Sequence, residues 1–169
     1  MLSNETAFPW LTLLIAVAVI AAAVLWLVKP LHKAARPYGL AVSVLIFAGF
    51  VVAAMSGFDV AAAGEVQLRE TYSWIPAIGT SIAWGVNGMG LVMIGLATFL
   101  VPLVLLAAWS ELDDETDERS AGYVAWILFL EAVMIGIFAA QDVFLFYILF
   151  EVMLLPGFSA ASRWASCSL

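Results

Sequence analysis

The sequence predicts an all-α polytopic membrane protein with about five transmembrane helices and a short surface β-hairpin between the second and third. Two observations carry this. Of 169 residues, 65% are hydrophobic and only 11% charged, whereas a soluble domain is nearer half apolar and a quarter charged. The apolar residues also gather in runs close to the ~20 needed to cross a bilayer core. A net charge of −7 implies no acidic surface, because six of the thirteen acids sit in one run, Glu111 to Glu118. No basic patch with interleaved aromatics occurs, so nucleic acid is excluded as a partner and the lipid bilayer is implied. The single cysteine, Cys167, has no partner for an internal disulfide.

Trp10 to Val28 is the first apolar run. It lacks the basic leader and is too long for a signal peptide. Lys29, Pro30, His32, Lys33 and Arg36 form a short basic loop, and Tyr38 to Met55 is the second span. In Gln67 to Gly85, Pro76 and Gly79 sit between β-branched and aromatic residues, the pattern of a hairpin. Tyr72, Trp74 and Trp84 there suit the headgroup zone, where an amphipathic ring reaches both solvents. The third span is Met89 to Trp109, with a kink expected at Pro102. Ser110 to Ala121 reads as a solvated connector, Gly122 to Ala140 as the fourth span and Val143 to Phe158 as the fifth. The chain thus divides into 1–121, a three-helix segment with hairpin and connector, then 122–158, a two-helix segment, and 159–169, an atypical tail.

Lys29, Lys33, Arg36, Arg119 and Arg163 follow spans one, three and five, whereas the other side holds only Arg69. This bias puts the N-terminus outside.

Chemistry is expected at Glu151, set deep in the apolar run Asp142 to Pro156. A charge at bilayer depth costs at least ~2.5 kcal/mol, so helices carry one mainly where a proton or ion passes. Glu151 lies ten residues after Gln141 in the tight turn, and Glu131 ten before it. At ~1.5 Å per residue both carboxyls sit ~15 Å from the turn, near the midplane. Whether they face each other depends on helix rotation. Glu151 is the leading proton relay and Glu131 a second candidate; the competing reading of each is a carboxyl packed inside the bundle. Asp142 reads as a helix cap. Pro156 leaves the carbonyl of Val152 without its amide partner, which can admit water beside Glu151. His32 reads as a loop residue, and the run Glu111 to Glu118 lacks the spacing of a calcium loop. No metal site, phosphate loop or CxxC, HExxH or GxSxG motif is present.

The segments WGVNGMGLVMIGLATFLVPLVLLAAW (Trp84 to Trp109) and YVAWILFLEAVMIGIFAAQDVFLFYILFEVMLLP (Tyr123 to Pro156) resemble the antiporter-like subunit M (chain 4) of proton-pumping NADH:quinone oxidoreductase, respiratory complex I. FYILFEVMLLP, Phe146 to Pro156, is the most specific part and resembles subunit M more than its sister subunits or the cation/proton antiporters. The resemblance implies a fold of about fourteen helices with two inverted repeats, of which this chain is an N-terminal fragment. It implies a translocase subunit of a bacterial plasma membrane, with Glu151 matching the family's buried glutamate and pairing with a lysine on a later helix. It places no cofactor in this chain: NADH, FMN, iron–sulfur clusters and quinone act elsewhere in the complex. Its implied partners are the other membrane subunits, including the sister antiporter-like ones. Asn87 stands where the family has aspartate, so a surface charge is lost. After Pro156 the chain reads GFSAASRWASCSL, where the family continues into further helices. That tail reads as a frameshift or truncation. Without the later lysines this chain alone is not expected to pump. The alternatives are a subunit of a multisubunit cation/proton antiporter, or a non-catalytic membrane scaffold.

Overall fold

The computed structural model describes residues 8–75, 80–110 and 116–154. Pro76, Gly79, Pro156, Cys167, the tail and most of the acidic run lie outside the described residues.

Five helices follow the expected apolar runs. They are α1 (Trp10–Leu27), α2 (Ala35–Gly57), α3 (Gly88–Ala107) and α4 (Asp117–Ala139), then α5 (Val143–Leu154). The first four are each long and apolar enough to cross a membrane; the described part of α5 is shorter. The protein is therefore a helical membrane protein. The hairpin lies where the sequence puts it, between α2 and α3, with β1 (Gln67–Ile75) antiparallel to β2 (Thr80–Val86).

Two local details differ from expectation. The basic loop is a 3-10 helix, Lys29–Ala34, with Arg36 already inside α2. It is closed by His32, whose ring N–H donates to the Leu25 carbonyl at 3.0 Å. Helix α4 begins at Asp117 inside the acidic connector, where two acids in its first turn complement the positive end of the helix dipole. Helix α3 is helical on both sides of Pro102.

Helix α4 is the centre of the bundle and packs against α1, α2 and α3. Half of its most apolar stretch is buried inside the chain, against 22–33% for the other spans. Close approach comes from small residues, Ala18, Ala21 and Ala22 on α1 and Ala121, Ala125 and Ala132 on α4, all buried. Between membrane helices packing replaces the hydrophobic effect as the driving force, so small side chains gain contact area. Gly39 on α2 is the tightest such point: a Cβ there would overlap Val124 Cγ1 on α4.

Gly39→Ala is expected to destabilise the fold by about 1–3 kcal/mol, the usual cost of overpacking. Val124→Ala should recover most of that loss. Detergent-unfolding midpoints of the singles and the double variant check this, and simple additivity would refute the contact.

Candidate functional site

The hairpin gathers the helix ends on one side of the bundle. Strand β1 carries one more residue than β2 between the pairs Gln67↔Val86 and Glu70↔Trp84. In a regular strand residues three apart point to opposite faces, but an extra residue resets the alternation. Leu68 absorbs the irregularity with φ 52°, a conformation costing about 1–3 kcal/mol for a non-glycine. Its side chain is buried against Gly57 at the end of α2. As a result Gln67 and Glu70 both point inward, 5% and 6% exposed.

Each closes a helix end. The Glu70 carboxylate accepts from the amides of Leu11 at 2.8 Å and Thr12 at 3.0 Å, and from the Thr12 hydroxyl. Helix α1 starts after Pro9 with no side-chain cap of its own, and an anion at a helix N-terminus satisfies both the free amides and the dipole. Gln67 accepts from the Asp59 amide at 2.7 Å and donates to the carbonyls of Asp59 and Ala62, both at 2.9 Å. Asn87 caps α3, accepting from Gly90 N at 2.8 Å. The neutral amide thus makes the cap without placing a charge there.

The α4–α5 turn is held by the same hairpin. Gln141 donates from its backbone to Ala83 O and from its side chain to Gly85 O, each at 2.9 Å. Asp142 caps α5 by accepting from Phe144 N at 2.8 Å. Trp84, expected among the headgroups, is instead 8% exposed within the apolar core. The reason is its bridge to Ala140, which draws β2 onto the end of α4 and seats the indole near Gly136. Tyr72 stays exposed.

The two carboxyls lie in different surroundings. Glu131 shares the buried stripe of α4 with Val124, Leu128 and Ile135. It is 0% exposed, and neither of its oxygens has a hydrogen-bond partner among the described residues. Glu151 is exposed on α5, among Tyr147, Phe150 and Leu154. The two groups are therefore not hydrogen-bonded to each other. Leu149 packs at the position where a Gly136 Cβ would lie, 3.1 Å away. From that contact Glu131 is five residues along α4 and Glu151 two along α5. At ~1.5 Å per residue they differ in depth by about 4.5 Å. Tyr147, one turn before Glu151, stands within reach of its carboxylate. Among the described residues no three His, Cys, Asp or Glu side chains gather as metal ligands.

Glu70 and Gln67 are the residues the sequence reading missed. A signal was present: α1 opens without Ser, Asp or Asn, so its free amides need an acceptor from elsewhere in the chain.

No family model matches the chain. Individual proteins do. Over 157 residues it is 36% identical to NAD(P)H-quinone oxidoreductase chain 4 1 of Picosynechococcus sp., covering 92% of this chain and 28% of that protein. NADH-quinone oxidoreductase subunit M of Mycobacterium tuberculosis is 34% identical over 174 residues, covering 88% of this chain and 31% of the relative. This chain is a relative of chain 4 and subunit M of the quinone oxidoreductases. It spans somewhat under a third of the length of those relatives. Its fold also matches a chain in the structure of respiratory complex I from Thermus thermophilus with bound NADH, at a TM-score of 0.68 and 23% identity, over 86% of this chain and 27% of that one. Over the matched part, the helical fold of that chain is the fold found here.

Glu70→Ala is expected to cost about 1–3 kcal/mol, because a buried amide loses its acceptor, and Glu70→Gln less. Thermal unfolding of the detergent-solubilised protein measures both. Equal midpoints for wild type and Glu70→Ala would remove the clasp from the account.

Proposed function

We propose that this chain is the proton-path portion of subunit M in a bacterial NADH:quinone oxidoreductase, and that Glu151 carries the proton. Its position supports this reading most directly: a carboxylate on an apolar helix, facing out of the bundle formed by the other four. A charge held there is costly unless an ion path or a counter-charge accompanies it. The resemblance of Phe146 to Pro156 to subunit M supplies that counter-charge as a lysine on a later helix. The longer relatives have the length for such helices.

Electron transfer from NADH through FMN and iron–sulfur clusters to quinone belongs, on this reading, to other subunits. This chain binds, holds and releases a proton. Asp142 and Gln141 fix the start of α5 and thereby the depth of Glu151. The names of the relatives favour a quinone oxidoreductase over a cation/proton antiporter. Lys29, Lys33, Arg36 and Arg119 lie at the end of the bundle opposite the hairpin. The positive-inside rule therefore puts that end in the cytoplasm of a bacterial plasma membrane and the N-terminus outside. Sister antiporter-like subunits and other membrane subunits are the proposed neighbours.

In vesicles containing the full-length subunit in its complex, Glu151→Gln should lower NADH-driven proton translocation about 100-fold, the lower end for loss of a proton-transferring group. Glu151→Asp should retain part of it. Unchanged rate and proton-to-electron ratio in Glu151→Gln would sink the relay.

A further inference from the structure

We infer that Glu131 is a second proton-binding site, enclosed by helices α1 to α4 of this chain and separate from the outward face that carries Glu151. Three observations lead there. The side chain is 0% exposed although nothing outside this chain covers it. Both of its oxygens lack a hydrogen-bond partner among the described residues. No Lys, Arg or His among the described residues is buried with it.

An ionised carboxylate without a partner in an apolar interior costs far more than a neutral acid, so such a group takes up a proton instead. The surroundings from each packed helix fit that outcome. Helix α4 contributes Leu128, Ala132 and Ile135, and the buried positions of α1 are all Leu or Ala. The only polar residue buried on α2 is Ser43, and on α3 it is Thr98. Both hydroxyls already donate to carbonyls of their own helices, Ser43 to Leu40 O at 3.1 Å and Thr98 to Ile94 O at 2.9 Å. Their donor hydrogens are spent, so neither offers one to a carboxylate anion. The other buried carboxylate, Glu70, is committed to the α1 amides at the hairpin end.

Glu131 is eight residues from the last residue of α4, Ala139. At ~1.5 Å per residue it sits about 12 Å inside the hairpin end, within the bilayer core. Uptake forms one O–H bond on the carboxylate and consumes one proton; release reverses it with no other reactant. The α4–α5 contact at Gly136 and Leu149 lies between this site and the turn.

The test is infrared difference spectroscopy on the full-length subunit in its complex, with 13C-labelled glutamate. Wild type should show a protonated-carboxyl C=O band that shifts with the label and exchanges with deuterium during NADH turnover. Glu131→Gln should lose it, and Glu131→Asp should replace it with a band that does not shift with the label. Glu151→Gln should keep it, so this site stands or falls apart from the Glu151 relay. An undiminished band in Glu131→Gln, or a Glu131 band that never exchanges during turnover, would overturn the proposal.

Discussion

The contact on which the rest of the arrangement depends is the carboxylate of Glu70 on the first two free amides of α1 that it reaches, at Leu11 and Thr12. A membrane helix satisfies its own backbone along its length but leaves its terminal amides open. Here the acceptor comes from a hairpin 59 residues away in sequence. The bond therefore both caps a helix and fixes the hairpin against the first span. From that anchor the strands reach the start of α3 directly, the loop after α2 through Gln67, and the α4–α5 turn through Gly85 and Ala83.

The consequence for the site is positional. With the turn at Gln141 held to β2, α4 stays in the centre of the bundle and α5 lies along its flank. Glu131 is then closed off by the chain's own helices, and Glu151 is presented outward. The same residue type thus occupies two environments on adjacent helices. A dry interior favours the neutral acid, while an outward position leaves Glu151 open to a counter-charge from elsewhere. Asn87 retains the capping geometry at the start of α3 without adding a charge to the hairpin end.

Much of the fold was legible in the sequence because hydropathy runs and turn residues are local signals. The five apolar segments and the hairpin between the second and third follow from them. So does Asp142 as a cap, whose bond spans two residues. What was hidden depends on rotation and long-range pairing. A run that is apolar on all sides does not say which face turns inward, so the enclosure of Glu131 and the exposure of Glu151 were open. Trp84 resembles a headgroup tryptophan until its bridge to Ala140 is seen. Gln67 and Glu70 read as opposite faces of a strand until the extra residue at Leu68 is counted.

Amide hydrogen exchange at Leu11 and Thr12 in the bilayer-embedded protein tests the anchoring contact most directly. Both amides should be protected to the level of the α1 interior in wild type and exchange much faster in Glu70→Ala, with Gln141 at the α4–α5 turn loosening in parallel. Rapid exchange at Leu11 and Thr12 in the wild type, or protection unchanged in Glu70→Ala, would contradict the account.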